Sequence, residues 1–174
     1  MITVKSEKCN TFTQKNYDEF IGNLNLNSFR CSNPKCFKRS CLTIHGYYYR
    51  YLKIGDKKIR LRIMRIKCSE CGCTHAVMPS FVVPYSQVTY HVQKQICEHS
   101  ERKSGFKDIL AANLSIDESD IANVIRRYRK HWKTRIVSLG VSVFNDIMSS
   151  CFEVFRRQFM QIKMIFNTLQ GVTT

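Results

Sequence analysis

The sequence predicts an α+β fold in which a small cysteine-stapled β-hairpin module precedes a group of helices and a long C-terminal helix. Three observations predict it. Six of the nine cysteines fall between Cys31 and Cys73. Between those cysteines apolar residues alternate with polar and basic ones, the period of a strand. Beyond Pro84 the apolar residues recur every three or four positions, the period of a helix. At 174 residues and 44% hydrophobic, the chain can bury at least one core. The 28 Lys and Arg against 13 Asp and Glu give a formal net charge of +15, which favours a polyanionic partner. No apolar run approaches the roughly 18 residues of a membrane span, and the N-terminal residues lack the apolar stretch of a secretory signal. A cytoplasmic protein with no membrane partner is therefore expected. In that compartment thiols stay reduced, so nine cysteines need a purpose other than disulfides.

Residues 1–28 form an N-terminal arm in which Tyr17, Phe20, Ile21 and Leu24 suit a short amphipathic helix. Residues 29–84 form the cysteine module. Within it, residues 46–54 read as one strand and residues 58–67 as its partner, joined across Gly55, Asp56 and Lys57. Ile59, Leu61 and Ile63 face one side of the second strand, with Arg60 and Arg62 on the other. The phase then changes to Met64 and Ile66, with Arg65 and Lys67 opposite, which predicts a bulge after Ile63. One face of the hairpin is expected to be apolar and the other strongly basic. Two prolines in Pro79-Ser-Phe-Val-Val-Pro-Tyr-Ser86 place a module boundary there.

Residues 85–135 read as a helical module. A first helix covers 87–101, with Val88, His91, Val92, Gln95 and Ile96 near its inner stripe, and a short second one covers 104–112. The third runs from 117 or 118 through 132, with Ser115 and Glu118 spaced as a capping box. Its apolar stripe is Ile121, Val124, Ile125, Tyr128 and Trp132, and a second, basic face holds Arg126, Arg129, Lys130 and Lys133. Residues 136–174 contain no proline and one glycine before the final turn, and Phe144, Met148, Cys151, Phe155, Phe159, Ile162, Phe166 and Leu169 recur at steps of three or four. This predicts one long helix or a helical pair whose aromatic stripe packs on a partner surface, possible homodimerisation included.

The cysteine spacing points to metal. Cys31-Ser-Asn-Pro-Lys-Cys36 and Cys68-Ser-Glu-Cys71 are two pairs on turns flanking the predicted hairpin. Four thiolates on two such turns are the usual closed shell of structural Zn2+, which makes a small zinc ribbon the expected architecture, with Cys31, Cys36, Cys68 and Cys71 as ligands. Cys41, His45, Cys73 and His75 are rival ligands, and an iron–sulfur centre is a further reading of the same thiols. Cys9, Cys97 and Cys151 read as plain apolar side chains. A shell closed by four protein ligands leaves no open position for catalysis at the metal.

The hairpin is expected to offer Arg50, Lys53, Lys58, Arg60, Arg62 and Arg65 to a phosphate backbone, interleaved with Tyr47, Tyr48, Tyr49 and Tyr51 that can stack on bases. The competing reading is a merely solvated charged face. The third helix adds Arg126, Arg127, Arg129, Lys130 and Lys133.

The combined text Cys-Ser-Asn-Pro-Lys-Cys, His45-Gly-Tyr-Tyr-Tyr-Arg50 and Cys-Ser-Glu-Cys-Gly-Cys-Thr-His-Ala-Val-Met-Pro, within residues 29–86, resembles the amino-terminal zinc-ribbon segment of bacterial insertion-sequence transposases and their small relatives. The gap of four residues in the first cysteine pair, together with Cys41 and Cys73, departs from that pattern. The resemblance implies that the ribbon helps to recognise transposon-end DNA and that residues 104–132 form a helix-turn-helix. It implies Ser119, Asn123, Arg126, Arg127 and Lys130 as candidate groove readers; a three-helix packing domain without groove contacts is the alternative. Asp108, Asp117, Asp120, Asp146 and Glu153 lie in predicted helices or caps rather than on the strand-rich scaffold of a nuclease core, so no catalytic residue is expected. The expected function is a zinc-stabilised, sequence-specific DNA-binding protein of a mobile element, acting as accessory, regulator or truncated transposase. An RNA-binding ribbon protein and a protein-interaction module are the alternatives.

Overall fold

The computed structural model describes residues 1–4, 12–155 and 157–161; Cys9, Ile162, Phe166 and Leu169, all read above, lie outside them. The fold is α+β. Its sheet is built from β1 (Ile2–Val4), β2 (Leu42–Ile54), β3 (Lys57–Cys68) and β4 (Thr74–Pro79), in the spatial order β1-β4-β3-β2. β2 and β3 form the expected hairpin, paired from Leu42 opposite Cys68 to Ile54 opposite Lys57. The turn between them holds only Gly55 and Asp56, with Gly55 at φ +56°, a conformation that suits glycine.

The bulge is on the other strand from the one expected. The register shifts between Ile44 and Gly46 of β2, leaving His45 as the extra residue, while β3 contributes every residue to the pairing without a skip. Arg60 and Arg62 therefore share a face with Tyr47, Tyr49 and Tyr51. Arg65 falls on the opposite face, where it lines a cavity with Tyr48 and Arg50. Met64 is buried directly after buried Ile63 because a helix, α1 (Gln14–Gly22), packs on this part of β3. The Tyr17 hydroxyl makes the joint, accepting from Met64 N at 2.8 Å and donating to Val77 O at 3.0 Å. Residues 80–84 connect sheet to helices as part of the core, with Phe81, Val82 and Val83 fully buried.

Three helices follow: α2 (Tyr90–Arg102), α3 (Lys107–Ala112) and α4 (Glu118–Tyr128). The capping box of α4 is made by Asp117 and Asp120, not by Ser115 and Glu118. Ser115 is already engaged, because its backbone N–H and its hydroxyl both donate to Gly55 O at the hairpin tip. Lys53 of β2 reaches the same cap, pairing with Asp120 and lying 3.6 Å from Asp117. Lys53 N also donates to Gln87 O at 2.8 Å. Hairpin and α4 are thus held together by ionic and backbone bonds as well as by the shared core.

The helical path continues from α4 through a wide π-type turn at Arg129–Lys133 into α5 (Thr134–Ser138). Among the described residues the expected C-terminal stretch is not one long helix but two short ones. Gly140, at φ +66°, ends α5, and a new short helix, α6 (Ile147–Phe155), starts where the Asp146 carboxylate accepts from Ser149 N and Ser149 Oγ. The aromatic stripe turns inward. Phe155 and Phe159 meet the buried Trp132 ring edge-on at 5.6 and 5.2 Å, and Phe159 also touches Tyr90 and Tyr128. Of the described stripe residues, Cys151 and Phe159 are buried in the chain's own core and Phe144 stays exposed.

Tyr17 is fully buried, and its hydroxyl serves two backbone groups on different strands. Tyr17→Phe leaves a buried N–H and a buried carbonyl short of a partner and is expected to destabilise the fold by about 1–3 kcal/mol, read as a lower denaturant midpoint at unchanged slope. An unchanged midpoint contradicts this joint.

Candidate metal centre and adjoining basic groove

Two loops bring four sulfurs together. In the first, Cys31 N donates to Lys38 O and Cys36 N to Asn33 O, both at 2.9 Å, so the four-residue gap is taken up by a turn around Pro34. The second begins as β3 ends, where Gly72, at φ +69°, donates to Cys68 O and turns the chain toward β4. The sulfurs of Cys31, Cys36, Cys68 and Cys71 all lie within 4.8 Å of one another, with Cys31 to Cys71 at 3.6 Å and Cys36 to Cys68 at 3.8 Å. A regular tetrahedron with metal–sulfur bonds of about 2.3 Å has edges of about 3.8 Å. The cluster could hold a metal ion, and its donor set suits a thiophilic one.

The rival residues flank this cluster rather than enter it. Cys41 Sγ lies 3.3 Å from Cys68 Sγ, and Asn33 Nδ2 donates to Cys73 Sγ at 3.2 Å. His45 is exposed on the bulge. His75, which closely follows the second cysteine pair in sequence, lies beside the cluster. Its Nε2 is 3.2 Å from Cys31 Sγ, while Nδ1 meets Ser32 Oγ at 2.9 Å and the Met1 nitrogen at 3.1 Å. The Met1 nitrogen is a donor, so Nδ1 accepts and the ring proton sits on Nε2, aimed at the Cys31 sulfur. Burial first, and then the positive Met1 nitrogen, holds the imidazole down to about 4, so it stays neutral in this role. The Asn33 side chain and then the Cys73 backbone pull Cys71 down to about 6, whereas burial pushes Cys31 up to about 12. A bound cation favours the thiolate form of both.

The expected phosphate contacts divide into several groups. On the outer face of the hairpin Arg62, Arg60 and Lys58 stack over Tyr47, Tyr49 and Tyr51, at 4.8, 3.8 and 4.8 Å from the ring centroids. All three tyrosines remain exposed. Beside this ladder runs a groove of about 620 Å³ between hairpin and α4, lined by Lys53, Lys58, Asn123, Arg126, Arg127 and Lys130. Within it Arg126 donates to Asn123 Oδ1, and Arg127 donates to Tyr85 O at 2.9 Å.

The remaining candidates point elsewhere. Arg50 is half-buried and clamps Val83 O and Ser86 O, and Arg65 donates to Thr74 Oγ1 at 3.2 Å. Ser119 caps onto Asp117, while Arg129 and Lys133 turn toward α2, onto Ser100 and Glu101. Arg50 missed its expected place because a basic residue on the inner side of a strand carries the same sequence signal as one on the outer side. Tyr85, which lines the groove, carried no spacing signal.

Two outcomes test the centre. Cys36→Ser and Cys68→Ser are each expected to abolish stoichiometric metal binding by native mass spectrometry. His75→Ala, which keeps all four thiols, is expected to weaken metal by roughly 10–100-fold in chelator competition. Full affinity in His75→Ala removes the imidazole from the site.

No curated protein and no solved structure matches the chain. Residues 31–128 match a domain of unknown function, DUF6431. That match covers all four clustered cysteines, the hairpin and α4, more than half of the sequence, and the chain belongs to the DUF6431 family.

Proposed function

We propose that the protein is a zinc-stabilised DNA-binding protein that serves a mobile element as an accessory, a regulator or a truncated transposase, without a catalytic core of its own. The observation that carries the DNA reading is the groove between hairpin and α4. Lys58 from one element and Arg126, Arg127 and Lys130 from the other line one concave surface, on a chain with a net charge of +15. Converging cations of this kind position a phosphate backbone, and polar side chains such as Asn123 can meet base edges.

Zinc is the metal that four thiolates in a tetrahedral array suit best. When bound it supplies a structural crosslink; the chain's own residues hold the two knuckles, orient the thiolates and present the basic surface. The mobile-element role is supported by the resemblance of residues 29–86 to the ribbon of insertion-sequence transposases. On that view α3, the following turn and α4 act as a helix-turn-helix, with α4 toward the major groove.

RNA is the second reading, and the exposed Tyr47, Tyr49 and Tyr51 favour it. Stacking platforms serve unpaired bases better than a closed duplex.

Selection of bound sequences from a random duplex library, at physiological salt with competing RNA, is expected to enrich a defined DNA site. Preferential retention of RNA transfers the assignment to the second reading. Arg62→Ala and Lys130→Ala are each expected to keep the metal, weaken duplex binding and reduce the dependence of log affinity on log salt by about one. Unchanged affinity in both variants removes the ladder and the groove from the binding face.

A further inference from the structure

We propose that the cavity on the inner side of the hairpin receives one unpaired nucleotide of a DNA strand whose backbone lies in the basic groove. The proposal rests on the nucleic-acid reading above and adds a specific subsite to it. The cavity has a volume of about 820 Å³, and its walls include Tyr48, Met78, Pro84 and Tyr85. Arg50 and Arg65 stand among them. Pockets of roughly 300–1,000 Å³ with apolar walls and a few placed polar groups are the ordinary setting for a small organic group. A purely aliphatic ligand makes no use of guanidinium groups. A flat heteroaromatic ring joined to a phosphate uses both the aromatic walls and the Arg65 guanidinium, whereas Arg50 is held by Val83 O and Ser86 O.

Continuity with the groove identifies the ligand further. Tyr85, Ser86 and Gln87 line both cavities, so a strand that tracks its phosphates along Lys58, Arg126 and Lys130 reaches the mouth of the inner cavity at this shared wall. Tyr85 is the central residue there. It sits at φ +60°, in the left-handed region that a bulky side chain rarely adopts, and it is 62% exposed. Its segment is held from both modules, by Arg50 of β2 on Val83 O and Ser86 O and by Arg127 of α4 on Tyr85 O. Two half-buried arginines thus fix a strained backbone whose result is an aromatic ring presented at the junction of two cavities. Strain of this kind, imposed by the surroundings and tied to an exposed ring, is the signature of a binding position. Tyr85 is assigned as the stacking partner of the unpaired base, with Tyr48 as a further wall.

The test uses the full-length, zinc-loaded protein and fluorescence anisotropy with two DNA probes, a fully paired duplex and the same duplex carrying one extrahelical nucleotide. The wild type is expected to prefer the second probe by roughly tenfold, the scale of one base–aromatic stack. Tyr85→Ala removes that preference, because it lowers affinity for the extrahelical probe far more than affinity for the paired duplex. Tyr85→Asn, which accepts the left-handed backbone, loses the preference equally, and Tyr85→Trp keeps it. Lys130→Ala weakens both probes alike. Equal affinity of the wild type for the two probes overturns the subsite but leaves the groove reading standing. So does a preference that survives Tyr85→Ala, or a Tyr85→Ala variant that loses both probes in parallel. Absence of binding to either probe overturns the nucleic-acid reading and the subsite together.

Discussion

Four sulfurs within 4.8 Å of one another are the constraint on which the rest of the molecule depends. Thiolates at that spacing repel strongly in a low-dielectric setting, and a bound cation turns the repulsion into a crosslink. Such a crosslink would join the 31–36 turn to the end of β3 and so close the base of the hairpin. From that base the β2–β3 register runs unbroken from Gly46 to the Gly55 tip. The register in turn places Arg62, Arg60 and Lys58 over Tyr47, Tyr49 and Tyr51. At the tip, Gly55 accepts from Ser115, and Lys53 meets the Asp120 carboxylate at the start of α4. A metal held at one end of the hairpin would thereby help to set the position of a helix at the other.

Much of this order was legible in the sequence because its causes are local. Alternation over 46–67 reported the hairpin, and the two cysteine pairs reported the cluster, since a turn and its ligands are neighbours in sequence. Misplaced features have non-local causes. The buried neighbours Ile63 and Met64 look the same whether the extra residue sits beside them or on the opposite strand, and only cross-strand pairing places it at His45. Ser115 with Glu118 and Asp117 with Asp120 both fit a capping box. The choice falls to the second pair because the hairpin tip engages Ser115. Periodicity after residue 136 reported an apolar stripe, but not that Gly140 would fold it back onto Trp132. β1, three residues pairing in parallel with β4, leaves no periodic trace to read.

The basic residues show how a charge count overstates a binding face. Lys53 is spent on Asp120 and Asp117, Lys133 on Glu101, and Arg50 on backbone carbonyls. Lys58, Arg60, Arg62, Arg126, Arg127 and Lys130 gather in the ladder and in the groove beside it, a narrower and more directional surface than +15 spread over the whole chain suggests. A stacking ladder, a cationic groove and a strained tyrosine at its edge lie next to one another. On the proposed reading this arrangement holds backbone phosphates while leaving aromatic faces for bases.

On the proposed reading, metal occupancy organises the surface offered to nucleic acid. Its most direct test is zinc titration into metal-stripped protein, with duplex anisotropy and metal content measured on the same samples. Affinity for the duplex is expected to rise with occupancy and to reach its plateau at one equivalent of zinc. Stripped protein that binds the duplex as tightly as the loaded form contradicts this reading.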